Sequence, residues 1–321
     1  MSVTTQPVLT EYRAGGTDLS ERRRTGVSRG PVRDVPRVGP HAPGSELVPR
    51  ADGGLTVGAL VSIDTVATDP AIRTRYPALA LAAGALATPQ IRRVGTVGGS
   101  LLQHNRCWYY RHPQTTCLKK GGDDCPARAG DHRYGALFDL GPCVAVHPST
   151  LGAALLAYDA TVTTDRRELT IADLFGDGRD GRRDHQLDPA ELLTAVHLPE
   201  ALAGERGAYH RATSRRYAEW PLVEASARVV LDGDRIAFAA VAVGAVAPVP
   251  LRLPAVEALI IGARPTPELL ADAGVRAVGT ATGLPQTTYK RALLAATVTE
   301  VLERATGGVP LLPGVREEGL Q

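Results

Sequence analysis

The run RRVGTVGGSLLQHNRCWYYRHPQTTC, Arg92 to Cys117, sets a diglycine turn eight residues ahead of the first cysteine of the chain. Paired glycines let the main chain approach a ligand with no side chain in the way, and they reach positive φ freely. Successive N–H groups in such a turn form a nest for an anion. A neighbouring Thr or Ser hydroxyl adds a donor. The same design occurs upstream, Ala14-Gly15-Gly16-Thr17-Asp18-Leu19 beside Thr96-Val97-Gly98-Gly99-Ser100-Leu101. Each bond to a charged oxygen contributes roughly 1.5–3 kcal/mol, so two loops meeting on one diphosphate could hold a dinucleotide. Either loop by itself reads equally well as a tight turn, since the chain has 34 glycines.

The chain has four cysteines, Cys107, Cys117, Cys125 and Cys143, all within 37 residues, with nine, seven and seventeen residues between them. In a chain whose start lacks the basic-then-apolar order of a signal peptide, such grouping favours a metal or cluster site over disulfides. Structural zinc usually uses a pair of cysteines two to four residues apart, and none occurs here. An iron–sulfur cluster also takes four thiolates and tolerates wider spacing. Nearby Arg106, Arg111, Lys119, Lys120 and Arg128 would lower thiol pKa values and offset a negative cluster. Spacing leans to iron–sulfur and leaves zinc open.

At 321 residues the chain is long enough for two domains. A net charge of +2 gives no electrostatic case for nucleic acid. No apolar stretch reaches the ~20 residues of a membrane span, and the expected compartment is the cytoplasm. Residues 20–54, rich in Arg, Gly and Pro, read as loop. Leu55–Val61 predicts a strand, Ile72–Ala87 a helix, Ala160–Thr163 a strand, and Leu192–Leu198 a strand ended by Pro199. The cysteine window reads as a turn-rich insertion, and the charged run Asp165–Gln186 as a boundary. Val229–Leu231, the turn Asp232-Gly233-Asp234 and Ile236–Val246 predict a hairpin. Helices are expected over Pro267–Thr280 and Thr288–Ala305, so the second half reads as a small α+β domain.

The order AGGTDL, TPQIRRVGTVGGSLLQ, four cysteines and HPSTLGAALLAYDATV resembles the FAD-binding (medium) subunit of the molybdenum hydroxylases, the xanthine dehydrogenase family. The four-cysteine insertion is most similar to the flavin subunit of bacterial periplasmic-type aldehyde oxidoreductases. The resemblance runs from about residue 11 to the C-terminus. It implies an α+β fold: a FAD-binding domain of the vanillyl-alcohol oxidase and p-cresol methylhydroxylase (PCMH) type, then a CO-dehydrogenase-flavoprotein C-terminal domain. The implied division is 1–170 with the cluster insertion at about 104–146, a linker 171–206, the second domain 207–308 and a tail 309–321.

The resemblance further implies FAD on Glu11, Tyr12, Arg13, Ala14, Gly15, Gly16, Thr17, Asp18 and Leu19, on Thr96, Gly98, Gly99 and Ser100, and on Arg106, Thr150 and Arg211. It assigns a 4Fe–4S cluster to Cys107, Cys117, Cys125 and Cys143, and no catalytic residue to this chain. Ser100 stands where the family more often has Asn, Thr150 where it has Asp, and Arg211 where it has Lys. Members carry an opening βα unit ahead of the AGG loop, whereas 13 residues precede Ala14 here, so the expectation is a start set too late, with a degenerate copy as the alternative. The implied partners are a molybdenum-cofactor large subunit and a 2Fe–2S small subunit, with periplasmic co-export on a partner as the alternative location.

The implied function is electron transfer from the 2Fe–2S partner to FAD and on to an external acceptor. Two other readings stand beside it: a zinc-stabilised scaffold without flavin, and a free-standing FAD oxidase. His112, His132 and His147 read as loop or supporting residues rather than as bases.

Overall fold

The structure is a computed structural model that describes residues 10–36, 39, 42–215, 219–279 and 281–307. The expected tail 309–321 and the first nine residues lie outside these. Strand β1 (Glu11–Arg13) runs parallel to β2 (Val32–Asp34), with Glu11 opposite Val32 and Arg13 opposite Asp34. The helix Leu19–Arg24 lies in the crossover between them. Residues 20–54 are therefore not simply loop. Their arginines disguise an interior: Arg22 is buried and bonds Asp18 at 3.1 Å and Glu11 at 2.5 Å.

A second, antiparallel sheet comprises β3 (Leu47–Pro49), β4 (Leu55–Gly58), β5 (Thr161–Thr164), β6 (Glu168–Thr170) and β7 (Leu193–Leu198), in the order β3-β4-β7-β5-β6. The strand expected to reach Val61 stops at Gly58, where a β-carbon would collide with the backbone of Gly44. Because β7 is the central strand, the expected linker 171–206 contains part of the first core. The helix expected over residues 72–87 is two helices, Pro70–Arg75 and Pro77–Ala85. Pro77 has no N–H to continue the first ladder and forces its predecessor out of helical geometry. Tyr76 turns the corner, fully buried, its ring edge-on to Tyr158 at 5.5 Å and its hydroxyl donating to the Pro199 carbonyl at 2.8 Å.

The second half contains β8 (Arg206–Ala212), β9 (Val223–Asp232), β10 (Arg235–Gly244) and β11 (Leu251–Arg252), antiparallel in the order β11-β10-β9-β8. The β9–β10 hairpin turns at Gly233, with φ +57°. Helices Pro267–Val278 and Lys290–Thr306 cover one face. Alternation along β9 sends Val223, Ala225, Ala227 and Val229 into that core. The other face carries Glu224, Ser226 and Arg228, equally buried.

These polar side chains meet the first half of the molecule. Arg228 bonds both Glu205 oxygens at 2.8 and 2.9 Å, donates to the Ala157 carbonyl at 3.0 Å, and lies 4.4 Å over the Tyr158 ring. Thr150 and Tyr209 each donate to Oε2 of Glu224, at 2.7 and 2.6 Å. A strand buried on both faces thus joins an apolar core to a polar seam in which Glu224 and Arg228 are paired and Ser226 Oγ has no partner among the described residues.

Candidate cofactor and cluster site

The two glycine loops touch. Gly15 packs against the Val94 carbonyl and the Cα of Gly95, and a β-carbon on it would fall inside that oxygen. Gly16, at φ +70°, turns the chain towards Asp18 and the following helix. Among the described residues, nothing accepts from the N–H groups of Gly15, Gly16, Thr17 and Asp18.

The second loop is different. Val97 N–H donates to Val61 O, Gly98 N–H to Ala59 O, Gly99 N–H to Thr96 Oγ1 and Ser100 N–H to Thr96 O, all at 2.8–3.1 Å. The nest expected there is occupied by its own fold. Its glycines serve close packing, since a β-carbon on Gly98 would lie 3.0 Å from Ala59 Cβ. Free main-chain donors therefore come from the first loop, and shape from the second.

A cavity of about 790 Å³ lies on one side of this junction, walled by Glu11, Tyr12, Ala14, Gly15, Gly16, Leu19, Arg29, Gly98 and Asp184. A second, of about 680 Å³, lies on the other side, walled by Ser100, Arg106, Cys107, Trp108, Trp220 and Lys290. Thr17, Asp18, Thr96, Gly99 and Gln103 border both. In the second cavity Ser100 Oγ and Arg106 Nε are buried without a hydrogen-bond partner among the described residues. Buried polar atoms left unpaired cost free energy unless a ligand meets them.

Three implied cofactor residues stand apart from both cavities. Arg13 turns outward to Asp34 at 2.7 Å. Thr150 is fully buried and committed to Glu224. Arg211 stands on β8 opposite Glu224, where the strand register places it on the seam between the halves. Neither cavity is lined by these three residues.

Asp18 organises the junction. It receives Arg22 at 3.1 Å, Arg106 at 2.8 Å, Arg111 at 2.7 Å and the His104 N–H at 3.2 Å. Burial alone would raise its pKa, but the Arg106 and Arg111 guanidiniums prevail and hold it below the ordinary carboxylate value. Arg106 also lies 4.4 Å over the Trp220 ring. Burial pulls the Arg106 guanidinium down to about 10.

The four thiols are free and share one neighbourhood. Cys107, Cys125 and Cys143 pack together with Leu118 and Ala145. Cys125 and Cys143 are hydrogen-bonded through their sulfurs, which lowers Cys125 to about 6 and raises Cys143. Charge on Cys125 and Cys117 is felt at Cys107, whose thiol burial pushes up. Among the described residues no group of three or more His, Cys, Asp or Glu side chains is arranged to hold a single metal ion. Residues 181–187, expected as a boundary, instead strap this window. Arg182 donates to the Leu118 and Gly122 carbonyls, and Lys119 donates to Arg183 O at 2.7 Å and pairs with Asp184 at 2.9 Å.

Asp184 is buried and also bonds His104 Nδ1 at 3.1 Å. Against the cost of burial, His104 and Lys119 hold its carboxyl well below the usual range. His104, Asp184, Trp220 and Lys290 thus join the site although no motif pointed to them, and Gln103 and Lys119, visible beside the loop and the thiols, join it too. His147 is buried edge-on to Phe175 at 4.2 Å, and burial lowers it to about 3, so it stays neutral. No helix among the described residues is long and apolar enough to cross a membrane.

Residues 42–201 match the model of the FAD binding domain in molybdopterin dehydrogenase, and residues 208–305 that of the CO dehydrogenase flavoprotein C-terminal domain. The chain belongs to the flavoproteins of the molybdopterin dehydrogenases. Within that family it is 34% identical over 214 residues to the aldehyde oxidoreductase FAD-binding subunit PaoB of Escherichia coli (strain K12), covering 64% of this chain and 66% of PaoB. It is 23% identical over 230 residues to the nicotinate dehydrogenase FAD-subunit of Eubacterium barkeri, covering 70% of this chain and 64% of that protein. The matches therefore span just under two thirds of each relative. Its fold is that of a chain in the carbon monoxide dehydrogenase of Hydrogenophaga pseudoflava, with a TM-score of 0.70 and 21% identity over 92% of this chain and 89% of that one. It is likewise that of a chain in the quinoline 2-oxidoreductase of Pseudomonas putida 86, with a TM-score of 0.69 and 19% identity over 93% and 90%.

Proposed function

We propose that this chain is the FAD-binding, iron–sulfur electron-transfer subunit of a molybdenum-dependent aldehyde oxidoreductase of the xanthine dehydrogenase type. The observation that carries the reading is the pair of cavities joined at two touching glycine loops, one of which has unused main-chain donors. The N–H groups of Gly15–Asp18, at the boundary that Thr17, Thr96 and Gly99 share, would hold the FAD diphosphate. Trp108, Trp220 and Cys107 in the second cavity would hold the isoalloxazine, since aromatic walls suit a flat ring. The first cavity, which Arg29 also lines, would take the nucleotide end. The donor set fits the cofactor: unpaired Ser100 Oγ and Arg106 Nε would supply polar contacts beside the aromatic walls.

Bound FAD would collect electrons singly and release them in pairs. The chain's own residues orient it. Asp18 fixes Arg106 and Arg111, and the Gly15 contact fixes the distance between the loops. The four cysteines would hold a 4Fe–4S cluster, supplying a one-electron relay beside the flavin. What supports a cluster is that all four thiols are free and that Cys107, Cys125 and Cys143 pack together. Lys119 is close enough to Cys143 to favour its thiolate, and so offsets cluster charge. Substrate oxidation would take place on a molybdenum-bearing large subunit, and a 2Fe–2S small subunit would deliver the electrons.

Co-expression with neighbouring genes, followed by flavin, iron and sulfide analysis of the purified complex, tests the reading. Flavin bands on a broad iron–sulfur shoulder are expected. A colourless zinc protein would replace it with a scaffold, and flavin without iron or partners with a free-standing oxidase.

A further inference from the structure

Lys290 opens the helix Lys290–Thr306 and is 1% exposed. Its Nζ donates to the Ala245 carbonyl at 2.9 Å. Ala245 adopts φ +60°, a left-handed conformation that non-glycine residues take only where their surroundings insist. The neighbouring chain does insist: Leu137 and Phe138 N–H donate to Val246 O, and His147 N–H to Ala247 O. An ammonium has three hydrogens to donate. Among the described residues, Ala245 takes one, no second acceptor serves Lys290, and no carboxylate pairs with it.

The remaining donors belong to the wall of the second cavity. Burial alone, uncompensated by any acid, pulls the ammonium down to about 7. An apolar side chain of the same volume would suit the fold better, since an unpaired buried charge is destabilising. Arg106 and Arg111, which also line this cavity, are each paired with Asp18, at 2.8 and 2.7 Å. Lys290 differs from both in having no carboxylate partner among the described residues.

We propose that Lys290 donates to the pyrimidine edge of the isoalloxazine and holds the negative charge that this edge gains on reduction. The inference rests on the reading that the second cavity takes the flavin ring. The dimethylbenzene end of that ring has no acceptor, whereas the pyrimidine ring carries N1 and two carbonyls, the densest set of acceptors an ammonium could meet. Reduction adds two electrons and one proton to the oxidised ring and leaves a net negative charge across N1 and the C2 carbonyl. A fixed cation at that edge favours the reduced form, which is how a protein tunes a flavin.

The test is a reductive titration with dithionite against reference dyes, on the complex purified with its partners. Wild type is compared with Lys290→Met, Lys290→Gln and Lys290→Arg. The Met and Gln variants are expected to keep their FAD and to shift the reduced-to-oxidised ratio at least tenfold towards oxidised. For a two-electron couple that is a potential lower by about 30 mV. Lys290→Arg is expected to stay within threefold of wild type. Neutral variants with full FAD content and an unchanged potential would overturn the proposal. Wild-type complex devoid of flavin would instead overturn the reading beneath it. Should the Met variant fail to fold, the Gln variant, which can still donate to Ala245, carries the test.

Discussion

Gly15 lies against the carbonyl of Val94 with no room for a methyl group. Seventy-nine residues separate the two in sequence, yet this contact sets the spacing of both glycine loops.

Gly15→Ala should therefore part the loops. We expect FAD content to fall at least tenfold, with a loss of about 2 kcal/mol in stability, at the upper end of ordinary substitutions. Flavin absorbance per chain and urea denaturation of the flavin-free protein check the two parts separately.

Asp18 gathers three guanidiniums and one main-chain N–H. Asp18→Asn removes the charge and leaves those cations facing one another. Removing one member of a buried ion pair costs about 3–5 kcal/mol, and that loss is expected in chemical denaturation. Glu21 also pairs with Arg106 and Arg111 and softens it only partly, being more exposed.

Acid should unfold the protein in a defined window. Arg167 lowers Glu191 from 4.5 to about 2, and Asp18 and Asp184 also lie below the ordinary aspartate value of 3.8. A depressed carboxyl contributes stability that is complete above its unfolded pKa and is lost as pH falls towards its folded one. The urea midpoint is expected to start falling below about pH 6.5, as burial keeps His147 and His185 neutral in the fold at about 3 and about 4, and to fall further between about pH 4.5 and 2 as the carboxyls protonate. A midpoint unchanged down to pH 3 would contradict these ion pairs.

Thiol reactivity should discriminate among the four cysteines of the metal-free chain. The hydrogen bond from Cys143 lowers Cys125 to about 6, while Cys143 and Cys107 are raised. Iodoacetamide at pH 7 is expected to alkylate Cys125 before those two, because the thiolate is the nucleophile. Peptide mapping by mass spectrometry reads the order. Cys143→Ser should abolish both the preference and any iron uptake.

The sequence made the strands Leu193–Leu198 and Arg235–Gly244 legible because their apolar runs end at Pro199 and at an Asp-Gly turn. The break at Tyr76 was equally written in Pro77, but the apolar face of residues 72–87 masked it. The glycine loops and cysteines could be seen because they need unusual residues. The strap at residues 181–187 could not, since RRDHQ has the composition of a solvated turn and its partners lie some sixty residues earlier. Thr150 and Arg211, expected as cofactor residues, line neither cavity. Position in a motif suggested a ligand, but Glu224 had already claimed that stretch of the seam, a fact of tertiary packing alone. Lys290 gave no signal either, being one lysine at the start of an ordinary helix.

The double burial of Val223–Asp232 bears on any attempt at dissection. A fragment ending near residue 200 would lose the cover over Tyr158 and Thr150, and its counterpart would present Glu224 and Arg228 bare to water. Neither piece would be a soluble module. Truncation studies would report on the wound rather than on the function, and only full-length substitutions can be interpreted.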